Sequence, residues 1–317
     1  PNDITETKII IAGVENAGKT SVLQSIREMK TMDAERPTKG MSTEVLSFAG
    51  YNLSTWDLGG QKTFRDQYFN NPDLFLRTSV FFYVVDIQDD DRISDSFDYF
   101  SRLIQILKYL QEKPMLAILL HKFDPEIRGP IIEQKTWHIK EDFREIIQKI
   151  QFEEPLFFKT SIYDLISLTK SLSTTFSKMS PVSEIIVSTL GHFSTQRNQA
   201  LSCLLFAENG LIISEFISGE MPKDTKDVIM FESMCLIREF NKDPTLEKLN
   251  EIHEINGYML RLYPIPVGRN TSVILAVISH IDEKDREKAV RRLILEEGEE
   301  SMQEQLTPWI QSFFRLF

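Results

Sequence analysis

The chain has 317 residues, enough for about two domains at roughly 150 residues each. Its 36 basic and 47 acidic side chains give a formal net charge of −11, which argues against a protein that grips nucleic acid or anionic lipid over a broad basic surface. Hydrophobic residues make up 42% of the chain, too many for a disordered protein, and the longest apolar runs fall well below the ~18 residues of a membrane-spanning helix.

The first half of the chain alternates short apolar runs with longer segments of helical period. The predicted strands are 8–12, 79–86, 115–121 and 156–159, and the predicted helices are 19–29, 93–111, 138–150 and 164–178. Strands separated by helices indicate an α/β fold with a mostly parallel sheet. The runs 44–48 and 51–56 flank Ala49-Gly50, which predicts an antiparallel hairpin at one edge of this sheet.

The pattern changes after the polar stretch 171–181, and we predict a domain boundary there, with a first domain of residues 1–178 and a second of residues 179–317. The predicted elements of the second domain are a helix at 183–196, strands at 200–206 and 211–217, a helix at 226–240, a strand or helix near 249–255, strands at 258–265 and 271–280, and helices at 283–297 and 308–317. This order predicts a small α/β sandwich built on an antiparallel sheet.

The segment Gly13-Val14-Glu15-Asn16-Ala17-Gly18-Lys19-Thr20 fits the phosphate-loop pattern G-x-x-x-x-G-K-[ST]. It lies between a predicted strand and a predicted helix, where successive backbone N–H groups can wrap a phosphate at a helix N-terminus. Lys19 would supply positive charge to the β and γ phosphates, and the Thr20 hydroxyl would bind Mg²⁺.

Two further motifs follow predicted strands. Asp57-Leu58-Gly59-Gly60-Gln61 places a carboxylate that can reach Mg²⁺ through water, glycines that let a backbone N–H approach a γ-phosphate, and a glutamine that can orient the attacking water. His121-Lys122-Phe123-Asp124 lies at the carboxyl end of a strand, where open α/β sheets bind ligands. Asp124 can accept two hydrogen bonds from guanine N1 and N2, a pair of donors that adenine lacks, so GTP is favoured over ATP.

Taken together, these motifs resemble the small GTPases of the Arf and Rag (Gtr) type. Pro37-Thr38-Lys39-Gly40 and Trp56-Asp57-Leu58-Gly59-Gly60-Gln61 are similar to Arf-like switch motifs. His121-Lys122-Phe123-Asp124 and the segment 159–164 are similar to Rag GTPases, whose second domain is of the roadblock or longin-like type. The order of elements predicted for residues 179–317 agrees with such a domain.

The resemblance implies a complete nucleotide site with Mg²⁺. Gln61, Lys19 and Thr38 would carry the catalytic roles, with Thr38 as the effector-loop threonine, and the metal ligands would be Thr20, Thr38 and, through water, Asp57. The residues expected to contact the nucleotide are Gly13, Glu15, Asn16, Ala17, Gly18, Lys19, Thr20, Ser21, Gly60, His121, Lys122, Asp124, Thr160, Ser161 and Ile162.

Four details leave alternatives open. His121 stands where most small GTPases have asparagine, which puts the tie between the base-reading loop and the phosphate loop in question. Glu15 places a carboxylate near the γ-phosphate, where it either slows hydrolysis or points into solvent. Five phenylalanines serve either as core or as a partner groove beside the switch: Phe64, Phe69, Phe75, Phe81 and Phe82. The acidic run 89–91 is either a cation site or, as we expect, a solvated loop that opens a helix at Ile93 and whose carboxylates suit the helix N-terminus.

The leading hypothesis is a GTP-binding switch that hydrolyses GTP to GDP and alters its switch loops to control partner binding. No motif assigns an arginine to the transition-state charge, so we expect slow intrinsic turnover and an activating partner that supplies one, with Arg65 as an internal candidate. A nucleotide-binding dimeric scaffold with little or no hydrolysis is the alternative, and an ATP-using P-loop enzyme is a third possibility.

The expected partners are GTP and GDP, a second subunit bound through the second domain as a homo- or heterodimer, and activating, exchange and effector proteins. We expect no nucleic-acid partner. Cys203 and Cys235 lie in apolar stretches without C-x-x-C spacing, which favours buried thiols in a reducing compartment and therefore a cytoplasmic location. Any recruitment to a membrane surface would run through a protein partner.

Overall fold

The structure is a computed structural model that describes residues 7–28, 41–48, 51–179, 183–196, 200–208, 210–217, 221–242, 252–266 and 272–280. The chain divides into two compact units, one formed by Pro1–Ser47 with Asn52–Thr175 and the other by Phe176–Phe317 with Phe48–Tyr51. This division lies close to residue 178, where the sequence suggests a boundary. Each unit contains its own sheet.

The first unit contains a six-stranded sheet and five α-helices within its described residues. Its elements are β1 (Lys8–Ala12), α1 (Lys19–Glu28), β2 (Met41–Phe48), β3 (Tyr51–Leu58), α2 (Lys62–Phe69), β4 (Thr78–Asp86), α3 (Asp90–Tyr109), β5 (Met115–His121), α4 (Pro130–Ile150), β6 (Leu156–Thr160) and α5 (Leu165–Met179). The strand order is β2-β3-β1-β4-β5-β6, and every neighbouring pair from β3 to β6 is parallel. The predicted mostly parallel sheet is therefore confirmed.

The core of the first unit lies along β1, β4 and β5. Because successive residues of a strand point to opposite faces, their nearly continuous burial means that both faces of the sheet are covered. Tyr83 of β4 is fully buried and donates its hydroxyl hydrogen bond to the Ser96 carbonyl at 2.7 Å. Its ring packs against Phe100 of α3 and Phe143 of α4, with ring centres 4.9 and 5.8 Å apart.

Some element boundaries differ from the sequence predictions. The start predicted for α3 at Ile93 is wrong, because this helix begins at Asp90, with two carboxylates in its first turn that favour a helix N-terminus. Asp90 and Asp91 are exposed to solvent, as expected. The start predicted for α4 is also wrong: this helix begins at Pro130, a residue suited to the first helical position. The short helix α2 was not predicted. Phe75, Phe81 and Phe82 are buried in the core, whereas Phe64 and Phe69 are partly exposed.

The second unit contains an antiparallel sheet and two helices in its described part. Its elements after α5 are α6 (Ser183–Gln196), β7 (Ala200–Ala207), β8 (Ile212–Ile217), α7 (Lys223–Lys242), β9 (Ile252–Ile255), β10 (Tyr258–Pro266) and β11 (Ser272–His280). The strand order is β8-β7-β11-β10-β9, and all four pairings are antiparallel. The predicted antiparallel sheet is confirmed, and the segment near 249–255 contains a strand. The helices predicted at 283–297 and 308–317 lie outside the described residues.

Two other expectations can be compared with these elements. Within the described ranges, no helix combines the length and the apolar character that crossing a bilayer demands. Cys203 is buried in β7 and Cys235 is half-buried in α7, and both are free thiols. Burial raises the pKa of the Cys203 thiol to about 12, so it stays protonated at neutral pH.

Candidate nucleotide-binding site

The phosphate-loop motif forms the connection between β1 and the N-terminus of α1. Gly18 has a φ of +95°, and a Cβ at this position would lie only 2.6 Å from the His121 ring. Only glycine therefore allows the loop to pass this close to the end of β5. The first turn of α1 follows at Lys19, so its unpaired N–H groups and the positive end of its dipole face the loop.

Lys19 lies inside the phosphate loop and is 6% exposed. Its ammonium donates hydrogen bonds to the carbonyl oxygens of Gly13 and Val14 at 3.1 and 2.9 Å. Burial lowers the pKa of Lys19 to about 8, although the nearby carboxylates of Asp57 and Glu15 act in the opposite direction. A polyphosphate bound in this loop would stabilise the charged ammonium and raise its pKa again.

Thr20 and Asp57 form a pair of oxygen donors beside the phosphate loop. Asp57 is buried near the end of β3, and its Oδ2 accepts a hydrogen bond from the Thr20 hydroxyl at 2.7 Å. A hydroxyl oxygen and a carboxylate are the kind of ligands that Mg²⁺ prefers, so the donor chemistry fits the predicted metal site. Thr38, the other predicted metal ligand, lies outside the described residues.

The glycines before Gln61 bring its segment against the phosphate loop. A Cβ on Gly60 would lie 2.3 Å from the Val14 carbonyl carbon, so Gly60 permits this contact. Gln61 precedes the first residue of α2, and its side-chain amide donates to Glu15 Oε1 at 3.2 Å. The Glu15 carboxylate is therefore engaged with Gln61, which disfavours the alternative that it merely points into solvent.

Two arginines near the phosphate loop have assigned partners. Arg65 of α2 is 9% exposed and makes a bidentate ion pair with Asp95 of α3, at 3.0 and 2.7 Å. The internal arginine that the sequence suggested is thus committed to α3. Arg92, which the motifs did not indicate, donates to the backbone carbonyl of Glu15 at 2.9 Å.

His121 links the base-reading loop to the phosphate loop. Its ring is 1% exposed, lies against Gly18, and has Nδ1 3.0 Å from the Thr160 hydroxyl oxygen. Burial, assisted by the positive charge of Lys122, lowers the pKa of His121 to about 4, so the ring is neutral at pH 7. The tie that the missing asparagine put in question is therefore made by packing of the ring against Gly18, and the hydrogen bond to Thr160 holds the ring in place.

Asp124, Ser161 and Lys122 converge where the carboxyl ends of β5 and β6 meet. Asp124 Oδ1 accepts a hydrogen bond from the Ser161 hydroxyl at 2.5 Å, and the Phe123 N–H donates to the Thr160 carbonyl at 3.0 Å. Lys122 has a φ of +61°, and its ammonium lies 2.6 Å from Asp86 Oδ2. This arrangement presents a fixed carboxylate beside a charged side chain.

Sequence reasoning missed two residues at the base-reading end: Asp86, the last residue of β4, and Gln88, two residues after it. The signal that could have found them is topological: β4 and β5 are parallel neighbours, and Asp86 lies opposite His121 in their register. Polar residues at the end of β4 must therefore lie beside the base-reading loop.

The other predicted contact residues flank these two clusters. Within the phosphate loop, Ala17 is buried and Asn16 is exposed with a φ of +61°. Ser21 follows in the first turn of α1, and Ile162 lies between β6 and α5.

A model of the Gtr1/RagA G protein conserved region matches residues 8–237 of this chain. The match begins at β1 and extends through the first unit into α7 of the second. It therefore covers well over half of the sequence.

Two individual proteins are also similar. ADP-ribosylation factor-like protein 3 of Chlamydomonas reinhardtii is 35% identical over 118 residues, which is 37% of this chain and 61% of that protein. The chain thus spans less than two thirds of the length of this relative. A structure of the Arl6 BBS3 small GTPase from Trypanosoma brucei, with the bound nucleotide analogue GppNp, is 17% identical, with a TM-score of 0.41, and the likeness covers 54% of this chain and 95% of that one.

Proposed function

The chain belongs to the Gtr1/RagA family of G proteins, and from this premise we propose that it is a molecular switch that binds GTP and hydrolyses it to GDP with Mg²⁺. The observation that carries the proposal is the contact between Gly18 and His121, because it joins a phosphate-loop cluster to a base-reading cluster. One side offers Lys19 with an adjacent pair of oxygen ligands, and the other offers the carboxylate of Asp124.

At the phosphate end, Lys19 would exchange its two carbonyl contacts for the β and γ phosphates, while loop N–H groups bind the remaining oxygens. Thr20, Thr38 and, through water, Asp57 would hold Mg²⁺, which when bound neutralises charge on those phosphates. We propose that loss of the γ-phosphate releases the segments around Thr38 and Gln61, and that partners recognise the difference.

For hydrolysis, the side-chain carbonyl of Gln61 would accept a hydrogen bond from the attacking water and orient it. The NH₂ group of Gln61 donates a hydrogen bond to Glu15, so the side-chain carbonyl of Gln61 would be available to the water. Arg65 is held by Asp95, so we expect slow intrinsic turnover and an activating partner that supplies an arginine, an effect worth about 10³- to 10⁵-fold in rate.

The test is single-turnover hydrolysis of GTP by the full chain, measured as phosphate release with and without Mg²⁺. We expect Gln61→Leu to slow the rate by about 10²-fold, because the water loses its orienting group, and to leave GDP affinity nearly unchanged. The matched control is Gln67→Leu, an exposed glutamine of the same helix, which should hydrolyse GTP at the parent rate. Equal rates for Gln61→Leu and the parent would remove the water-positioning role.

A second candidate function is a nucleotide-binding dimeric scaffold with little or no hydrolysis. The contact between Glu15 and Gln61 favours it, because a carboxylate that occupies the glutamine amide also adds negative charge near the γ-phosphate position. Tight GTP binding without turnover, even with candidate activating proteins present, would support the scaffold. A preference for adenine nucleotides would instead favour an ATP-using enzyme.

We also propose that residues 179–317 form a roadblock-like dimerisation and docking domain. Its order of one helix, two strands, one helix and three antiparallel strands supports this proposal. The helix α7 leaves Val228 and Phe231 partly exposed one turn apart, an apolar feature suited to a homo- or heterodimer contact.

Exchange and effector proteins would act on the first unit. We propose a cytoplasmic location, with membrane recruitment only through partners.

A further inference from the structure

Gln88 connects the end of β4 to the base-reading loop. Its backbone N–H donates to Asp86 Oδ1 at 2.9 Å, which fixes the residue at the sheet edge. Its side-chain nitrogen donates to the Lys122 carbonyl at 2.7 Å and to Asp124 Oδ2 at 3.0 Å. Both of these partners are acceptors, so only the NH₂ side of the amide can face them.

The contact matters because of what it leaves available on Asp124. A carboxylate has about four acceptor positions, two on each oxygen. Ser161 donates to Oδ1 at 2.5 Å and Gln88 donates to Oδ2 at 3.0 Å, so each oxygen is held by one side chain. One acceptor position then remains on each oxygen, and guanine presents its N1–H and N2–H donors as a matching adjacent pair.

We propose that Gln88 is a positioning residue for base recognition: with Ser161 it fixes the plane of the Asp124 carboxylate so that both oxygens face a 2-amino-6-oxopurine. This inference rests on the proposed function and names a determinant of base specificity at the same site. Gln88 does this as a neutral donor, and it also anchors the Lys122 backbone carbonyl, so one amide orders both base-reading side chains.

The substitution Gln88→Glu illustrates why the amide would be required. It would retain the length of the side chain but place a carboxylate against Asp124 and the Lys122 carbonyl, with no donor for either. Like charges at hydrogen-bond distance repel, and Asp124 would rotate away from the geometry that guanine needs.

The experiment measures the dissociation constants of GDP and ADP for the full chain, by displacement of a fluorescent GDP analogue. We expect Gln88→Ala to weaken GDP binding by about three- to tenfold, less than the loss of a direct hydrogen bond to a charged group, because the lost bond is exposed and acts on the base only through Asp124; ADP binding should be unchanged. Gln88→Glu should weaken GDP binding further. The control is Gln148→Ala, at an exposed glutamine near the C-terminal end of α4. This variant should bind GDP and ADP with the affinities of the parent.

The pair of ligands separates base reading from a general structural defect. A purely structural role would weaken GDP and ADP binding alike, so an equal loss of affinity for both nucleotides would overturn the proposal. A GDP affinity of Gln88→Ala within twofold of the parent value would also overturn it. Far-ultraviolet circular dichroism identifies a variant that fails to fold, and Gln88→Glu then provides the second substitution. A parent chain that does not prefer GDP over ADP would overturn the proposed function itself.

Discussion

The two ends of the candidate site are built on different principles. At the base end, Asp124 is held by hydrogen bonds from Ser161 and Gln88, in the orientation that we propose for guanine recognition. At the phosphate end, Lys19 binds loop carbonyls and Gln61 binds Glu15, contacts that phosphates and water would have to replace. We infer from this difference that base specificity would rest on a preorganised base end, while conformational change would belong to the phosphate end.

The largest effect on the base end is expected from Asp124→Ala. Loss of two hydrogen bonds to a charged acceptor should weaken GDP binding by about 10²- to 10⁴-fold and abolish the preference over ADP. Calorimetric titration with both nucleotides measures this. The control is Asp142→Ala, which removes an exposed aspartate of α4 and should leave both affinities at the parent values. If purine preference survives Asp124→Ala, the base end does not read guanine through this carboxylate.

An intermediate effect should appear in the pH dependence of stability, through His121. Its pKa is about 4 when folded and about 6.5 when unfolded, so the unfolded chain binds the extra proton first and stability falls as pH drops from 6.5 towards 4. Between pH 7.5 and 5, this residue should cost about 2 kcal/mol of the free energy of unfolding.

Urea unfolding of the parent and of His121→Asn at both pH values isolates this contribution. The variant should lose less stability over the same interval, because asparagine does not titrate. Equal losses would mean that His121 is not the neutral connection between the two ends.

The smallest effect concerns Glu15 at the phosphate end. Glu15→Gln removes one negative charge near the γ-phosphate, so we expect the ratio of GTP to GDP affinity to rise by about two- to fivefold. Single-turnover hydrolysis should also quicken by a similar factor, because less negative charge then opposes the charge that develops on the γ-phosphate oxygens. Glu145→Gln, an exposed change of equal charge on α4, is the control. A ratio unchanged from the parent would show that this carboxylate does not affect the γ-phosphate.

The part of the site that could be predicted from sequence is the part encoded by consecutive residues. The phosphate loop, Asp57 and Asp124 follow strands in recognisable order, because a nucleotide is bound by the backbone and side chains of a few short turns. Gln88 and Arg92 could not be found in this way, because each acts on a residue that is distant in sequence and adjacent only across the sheet edge.

The fold shows the same distinction between local and distant information. Strand positions and the antiparallel second sheet follow from apolar patterning, whereas α2 was missed because its eight residues have little apolar periodicity. The start of α4 was misplaced because Glu133, Gln134 and Lys135 dilute the pattern of its first turns. Such termini are determined by capping and tertiary packing more than by periodicity.

The ion pair between Arg65 and Asp95 also bears on how α2 can move. A bidentate pair tolerates little sliding, since both of its hydrogen bonds lengthen together and Arg65 is otherwise buried beside the Tyr99 ring. We therefore expect displacement of α2 to require both hydrogen bonds to break together, which gives this helix a preferred resting position.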